Sequence, residues 1–183
     1  EALSFSAATP THRVTALRSF AFSGSDLKLP VGYPLVQGAL VTVTGEVERR
    51  GLVYALLSDG TATVMKHLAP IGSPPADDFV AVAAAYIGTP YLWGGASSLG
   101  IDCSGLVSSA YMQCGVLIYR DAKIIEGWPM HEVAFENKKP GDALFFPGHV
   151  ALYLGEGRYI HSTGAAASGG VVINSLEPDD PLY

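Results

Sequence analysis

A cysteine lies where a glycine-rich turn runs into an apolar helix, and two histidines follow later in the chain. The cysteine is Cys103, within an Asp-Cys-Ser-Gly sequence, and the histidines are His149 and His161. A cysteine at a helix N-terminus experiences the positive end of the helix dipole, which favours the thiolate over the thiol. A histidine elsewhere in the chain can supply the base, and a second polar group can orient it. The pattern predicts a cysteine-nucleophile enzyme, with Cys103 as nucleophile and His149 as base.

The two histidines are predicted to lie on neighbouring strands of one hairpin. The Gly-Glu-Gly sequence at 155–157 suits a three-residue loop with glycine in the left-handed conformation. Centring the turn on its glutamate puts His161 opposite Ala151, and therefore diagonal to His149 on the same face. Diagonal cross-strand neighbours lie about 7–8 Å apart at the backbone, which two imidazole rings can span. This register predicts a His149–His161 pair.

The elements around these residues predict an α+β fold. Short alternating strands before residue 70, with a hairpin turn at Asp59-Gly60, indicate a small β-barrel. A predicted linker at 71–76 precedes a helix capped by Asp77, and a second helix runs from Cys103 to about Cys114. Four antiparallel strands are predicted after these helices, at 142–146, 149–154, 158–162 and 171–176.

Composition and charge exclude several classes of function. The 183 residues are 49% hydrophobic, which is enough for a packed core, and the formal charge is 11 − 17 = −6. A net negative chain gives nucleic-acid binding no electrostatic support. No apolar run reaches the roughly 18 residues of a membrane span. We therefore expect no nucleic-acid partner and no membrane-spanning segment; the sequence is silent on oligomeric state.

The two cysteines are not expected to form a disulfide or a zinc site. Cys103 and Cys114, eleven residues apart on one predicted helix, would be separated by roughly 16 Å along its axis. A disulfide needs Cα atoms closer than about 7 Å. No Cys-x-x-Cys or His-x-x-x-His spacing indicates zinc. No metal or organic cofactor is predicted.

Five motifs follow one another with consistent spacing in the second part of the chain. They are Tyr91-Leu-Trp-Gly-Gly95, Gly100-Ile-Asp-Cys-Ser-Gly105, Pro140-Gly-Asp-Ala-Leu-Phe-Phe146, Gly148-His-Val-Ala-Leu152 and Tyr159-Ile-His-Ser162. Together they resemble the NlpC-type bacterial cell-wall cysteine peptidases, over roughly residues 77 to 176. The resemblance implies a papain-like catalytic domain at 73–183.

The first part of the chain has a looser resemblance to bacterial SH3-like domains, which implies a small β-barrel at 1–72. Such modules often carry an aromatic residue in a Gly-Trp-Val stretch. The matching stretch here reads Gly60-Thr-Ala-Thr-Val64. Because the aromatic residue is missing, a packing or substrate-limiting role is as well supported as cell-wall binding.

The resemblance also implies an activity and roles for individual residues. The activity is hydrolysis of peptidoglycan stem peptides, at the bond between γ-D-glutamate and diaminopimelate or lysine, through a Cys-His-His triad and a thioester. His161 would orient His149, and Tyr91 would help to stabilise the oxyanion. Asp102 would bind the free amino group of an N-terminal L-alanine, although aspartate is equally suited to be a helix N-cap.

Two other classes of function remain open from the sequence. Papain-like cysteine sites also serve as acyltransferases and amidases, and a non-catalytic cell-wall binding module is a third possibility. The substrate would be a stem peptide of the intact wall or a released muropeptide. The first implies a periplasmic, secreted or wall-associated enzyme, and the second a cytoplasmic recycling enzyme.

Overall fold

The computed structural model describes residues 9–123 and 130–183. The chain divides into two units, Glu1–Pro74 and Pro75–Tyr183, each with its own packing. The longest described helix has 11 residues. None of the described helices is long and apolar enough to cross a membrane.

The first unit is built from short antiparallel strands, as the alternating pattern before residue 70 predicts. The strands are β1 (His12–Val14), β2 (Arg18–Phe22), β3 (Val31–Val36), β4 (Leu40–Val41), β5 (Val43–Arg49), β6 (Leu52–Leu57), β7 (Ala62–Val64) and β8 (Leu68–Pro70), with a 3₁₀ turn at Met65–His67. They form a five-stranded sheet of order β3-β2-β7-β6-β5 and a three-stranded sheet of order β4-β1-β8.

Side chains from both sheets share one apolar core in this unit. Its buried members are Val14, Ala21, Leu35, Val41, Ala55 and Leu57. The predicted turn between β6 and β7 is confirmed: Asp59 Oδ1 accepts a hydrogen bond from the Thr61 backbone N–H, and Gly60 has φ +86°. That positive φ explains why glycine occupies the position.

The second unit places two helices before an antiparallel sheet, as the sequence predicts. Its elements are α1 (Phe79–Ala84), β9 (Ala96–Ser97), β10 (Gly100–Ile101), α2 (Cys103–Gln113), a 3₁₀ turn at Phe135–Asn137, β11 (Ala143–Phe146), β12 (His149–Gly155), β13 (Arg158–Thr163) and β14 (Gly170–Ser175). The last four strands form one sheet in chain order. Helix α2 packs on β12 and β13, and its side chains Leu106, Val107 and Ala110 are buried.

Helix α1 differs from the prediction at its N-terminal end. Its N-cap is Asp78 rather than Asp77, because Asp78 Oδ1 accepts from the backbone N–H groups of Val80 and Ala81 at 2.8 and 3.0 Å. Adjacent aspartates are both good caps by composition. Only the backbone path decides which carboxylate reaches the first turn.

The hairpin that carries the histidines has the predicted register and a different loop. Leu152 pairs with Ile160, and continuing that register puts His161 opposite Ala151. The predicted three-residue loop is wrong: β12 extends to Gly155, and Glu156 and Gly157 form the turn with φ +51° and +70°. A shift between Tyr153 and Gly155 compensates for the shorter loop. This bulge keeps the register at the histidines.

Candidate active site

The N-terminus of α2 positions the cysteine at the edge of a cleft. Asp102 is the N-cap of this helix, and its Oδ1 accepts from the Gly105 backbone N–H at 2.7 Å. Cys103 is the first helical residue and is 9% exposed. The cleft has a volume of about 310 Å³, and its wall includes Cys103 and His149. Helix and sheet thus bring the predicted nucleophile and base into one site.

The two histidines form a hydrogen-bonded pair on the sheet. Nε2 of His149 lies 2.8 Å from Nδ1 of His161, and the two rings are nearly perpendicular at 86°. Nε2 of His161 lies in turn 2.9 Å from Oδ1 of Asn174 on β14. Sequence reasoning missed Asn174. The available signal was an asparagine directly after the apolar Val-Val-Ile run of a predicted strand.

Both imidazoles are held in the neutral form that a base requires. Burial lowers the pKa of His149, and the nearby His161 lowers it further. Burial also lowers the pKa of His161, although the hydrogen bond to Asn174 opposes this shift. A neutral His149 at pH 7 can accept a proton from a thiol.

These lowered pKa values predict that stability falls on acidification. Below the ordinary histidine pKa of 6.5, His149 and His161 bind protons in the unfolded chain but remain neutral in the folded protein. Because the unfolded state binds more protons, the free energy of unfolding decreases as the pH falls. The loss begins near pH 6.5 and ends below the lowered folded pKa values. Urea unfolding at pH 7 and pH 5, compared between the parent protein and a His149→Gln/His161→Gln double variant, measures this contribution. An equal pH dependence in both proteins would contradict it.

Asp102 is the centre of a charged network at the start of α2. The Arg120 guanidinium donates to both of its carboxylate oxygens, at 2.8 and 3.0 Å. Gly94 N–H donates to Oδ2 at 2.8 Å, and Gly105 N–H and Ser104 Oγ donate to Oδ1. Burial opposes ionisation, but Arg120 and the Gly105 N–H hold the pKa of Asp102 below its usual range. Asp102 is thus a buried, charged N-cap with Arg120 as its counterion.

Arg120 also ties the glycine turn to the helix. Its Nη2 donates to the Gly95 carbonyl at 2.8 Å, and its Nη1 donates to Ser104 Oγ at 2.8 Å. The same carbonyl would lie 2.3 Å from a Cβ added to Gly105. The glycine after Cys-Ser is therefore required by close backbone packing. No helical or strand period predicts the contact between Arg120 and Asp102, which lie 18 residues apart along the chain.

Removing the guanidinium is expected to destabilise the second unit and to weaken catalysis. In Arg120→Met, the buried carboxylate keeps its N–H donors and loses its counterion. Because the Arg120 side chain is 40% exposed, we expect a loss of about 1–2 kcal/mol, below that of a fully buried pair. Misplacement of the helix start should lower kcat/KM by about tenfold or more. Chemical denaturation and steady-state kinetics give the two values.

A matched control separates this network from surface ion pairing. The Arg158–Asp180 pair lies in the same unit at 3.5 Å, with the Arg158 side chain 52% exposed. Arg158→Met is expected to change the free energy of unfolding by about 0.5 kcal/mol or less. An equal effect of the two substitutions would show that Asp102 does not depend on Arg120.

Tyr91 and Trp93, which precede the glycine turn in the chain, also line the cleft. Tyr91 is half-buried, and burial, with the charges of Cys103 and Asp102, raises the pKa of its hydroxyl. The hydroxyl therefore keeps its proton at neutral pH and remains a donor. Trp93 is 87% exposed, so its ring covers the cleft wall rather than the core.

The second cysteine plays no visible part in the cleft. Cys114 is the C-cap of α2 and is half-buried. Burial raises the pKa of its thiol, with the nearby Asp78 and Asp77 adding to the shift. Both cysteines are free thiols. Across residues 9–123 and 130–183, no cluster of three or more His, Cys, Asp or Glu side chains is arranged to hold a metal ion.

A cysteine at a helix N-terminus that shares a cleft with a histidine on an antiparallel sheet is typical of the papain-like class of fold and site. The NlpC/P60 family model matches residues 88–179, half of the chain. The chain belongs to the NlpC/P60 family.

Two bacterial dipeptidyl-peptidases are similar to part of the chain. A dipeptidyl-peptidase 6 of Lysinibacillus sphaericus is 54% identical over 109 residues, covering 58% of this chain and 39% of the relative. A γ-D-glutamyl-L-lysine dipeptidyl-peptidase of Bacillus cereus is 33% identical over 124 residues, covering 62% of this chain and 36% of the relative. The chain therefore spans less than half the length of these two proteins.

One solved structure resembles most of the chain. It is an NlpC/P60 family protein from Bacillus cereus, with a TM-score of 0.69 and 26% sequence identity. The match covers 94% of this chain and 59% of that protein. This likeness supports the papain-like fold of the second unit.

Proposed function

We propose that this protein is a cysteine endopeptidase that cleaves peptidoglycan stem peptides between γ-D-glutamate and a diamino acid. The observation that carries the proposal is the cleft lined by both Cys103, at the start of α2, and His149, which is paired with His161 at 2.8 Å. The name of the Bacillus cereus relative, a γ-D-glutamyl-L-lysine dipeptidyl-peptidase, supports the choice of bond. Diaminopimelate and lysine are both candidate diamino acids.

The chemistry follows from the positions of these groups. His149 accepts the thiol proton of Cys103, and the sulfur attacks the scissile carbonyl carbon. The oxyanion is stabilised by backbone N–H groups at the start of α2 and by the Tyr91 hydroxyl. His149 then gives the proton to the departing amine, leaving a thioester. Water attacks the thioester, releasing the acid and restoring the thiol.

One carboxylate of the cleft is proposed to select substrates with a free amino group. Asp102 has no acceptor site left for a substrate, since a carboxylate has about four lone-pair sites and this one already accepts five hydrogen bonds. Its main role is therefore to hold the helix start and the glycine turn. Asp121 is exposed and lines the same cleft, so it offers a second carboxylate to an N-terminal ammonium group.

We also propose that residues 1–72 form an SH3-like β-barrel domain and residues 73–183 the catalytic domain. The short strands of the first unit, in sheets of five and three strands, support this assignment. The separate apolar core of that unit supports folding independent of the catalytic domain.

Mass spectrometry of the products from L-Ala-γ-D-Glu-diaminopimelate tests the function. The same peptide with an acylated N-terminus is the matched control. Cleavage of the free tripeptide alone supports both the peptidase and the amine selectivity, and indicates turnover of released muropeptides. Cleavage of both peptides keeps the peptidase and rejects the selectivity. Cleavage of neither by reduced protein would reject the peptidase in favour of acyl transfer or binding without catalysis.

A further inference from the structure

The hydrogen-bonded chain that begins at His149 continues beyond the histidine pair. Oδ1 of Asn174 lies 2.9 Å from Nε2 of His161, and Nδ2 of Asn174 lies 2.7 Å from the Leu182 carbonyl oxygen. That carbonyl also accepts from the Ser175 backbone N–H at 2.8 Å. The chain of contacts therefore runs from the cleft, across β13 and β14, to a backbone carbonyl in the segment after the sheet.

The Leu182 carbonyl determines which group donates and which accepts in each of these hydrogen bonds. A carbonyl oxygen only accepts hydrogen bonds, so the NH₂ side of the Asn174 amide must face Leu182. The amide oxygen then faces His161, and this oxygen is also only an acceptor. Nε2 of His161 must therefore carry the proton of that ring.

The tautomer of His161 in turn determines the tautomer of His149. A neutral His161 that is protonated on Nε2 has its lone pair on Nδ1, which lies 2.8 Å from Nε2 of His149. His149 must donate this hydrogen bond, so its own proton is also on Nε2. Its Nδ1 is left as the acceptor atom of a ring that lines the same cleft as Cys103.

We propose that Asn174 is a positioning residue, and that it transmits the polarity of the Leu182 carbonyl to His161 and His149 so that Nδ1 of His149 is the basic atom. The inference rests on the proposed function only in taking His149 as the base of Cys103. An asparagine is suited to this role because it presents a donor and an acceptor on one rigid, uncharged group. Setting the tautomer of the base in this way is a recognised contribution to catalysis.

The segment that supplies the carbonyl is itself held in place. Asp180 Oδ1 accepts from the Leu182 backbone N–H at 2.8 Å, and the Asp180 carbonyl accepts from the Tyr183 N–H at 2.9 Å. The Asp180 carboxylate also pairs with Arg158 of β13 at 3.5 Å. Two β-strands and a turn therefore fix the position of the Leu182 carbonyl. A simpler role for Asn174, as an anchor of this turn, has to be separated from the tautomer role.

Long-range ¹H–¹⁵N correlation spectra of histidine-labelled protein separate the two roles without an activity assay. In the parent protein we expect His149 and His161 both to be Nε2–H tautomers. Asn174→Leu removes the acceptor and the anchor, and should give mixed tautomers and about tenfold slower alkylation of Cys103. Asn174→Asp removes the donor to Leu182 but keeps an acceptor, so the Nε2–H form of His161 should persist. Val172→Ala, on the same face of β14 opposite His161, should leave both tautomers unchanged.

Three results would overturn the proposal. An Nδ1–H tautomer of either histidine in the parent protein would do so directly, without any variant. Unchanged tautomers in Asn174→Leu would show that Asn174 does not set them. Equal loss of the Nε2–H form in the Leu and Asp variants would assign Asn174 to anchoring alone. The series of hydrogen bonds from Leu182 through Asn174 and His161 to His149 is here called the relay. If the tautomers are as expected while no stem peptide is cleaved, the relay is supported and the proposed substrate is wrong.

Discussion

Replacing Cys103 by alanine is expected to lower kcat/KM by about 10⁴-fold or more while the protein remains folded. In the proposed mechanism the Cys103 thiol supplies the attacking atom, so its removal would leave only substrate binding and oxyanion stabilisation. The stability cost should be about 1 kcal/mol or less, because the exchange removes one atom at the edge of a cleft. Hydrolysis of the free tripeptide, with thermal unfolding of each protein, measures both effects.

Two further cysteine variants serve as controls for this experiment. Cys114→Ala changes the thiol at the other end of α2, outside the cleft residues, and should retain the parent activity. Cys103→Ser keeps a hydroxyl of similar size, and its weak acidity should leave activity near that of the alanine variant. A folded Cys103→Ala protein that still cleaves the tripeptide would show that the nucleophile lies elsewhere.

The second large effect is expected at the base. His149→Ala should lower kcat by about 10³-fold, since general base and acid catalysis contributes about 10²–10⁴-fold. His161→Ala should cost less, about 10- to 100-fold, because His149 keeps its place in the cleft and loses only the partner that orients it. Steady-state kinetics on the free tripeptide determines the order.

Stability must be measured beside activity in this comparison, because both rings are partly buried. His131→Ala is a suitable control, since His131 is exposed and does not line the cleft with Cys103. It should match the parent protein in both measurements. A larger loss in His161→Ala than in His149→Ala, at similar stability, would mean that the two histidines have exchanged roles.

The proposed relay explains why a His–His pair can replace a His–carboxylate pair. A carboxylate orients an imidazole through charge, whereas a neutral imidazole can present either a donor or an acceptor. His161 therefore needs a partner that selects its tautomer. Asn174 at 2.9 Å, with its amide directed by the Leu182 carbonyl, provides that selection with no added charge in the cleft.

The local patterns of the sequence predicted the elements that carry the chemistry. The turn before Cys103 and the apolar stripe after it predicted α2, because helix caps and periodicity depend on neighbouring residues. The register of the His149 hairpin was predicted for a similar reason, since a tight turn fixes which residues face each other. The loop length was wrong, and a bulge near Tyr153 compensated for it. The sequence also did not predict that Asp78, rather than Asp77, is the N-cap of α1.

Only the tertiary structure decided which groups surround the nucleophile and the base. Arg120 reaches Asp102 across 18 residues, and Asn174 reaches His161 across 13. Neither contact follows from a helical or strand period, because each depends on where a separate segment is brought by folding. A contact between two segments that folding brings together produces no periodic pattern in the sequence. The sequence thus predicted Cys103 as the nucleophile and determined the paired histidines and their elements, while the folded chain determined the counterion of Asp102 and the partner of His161.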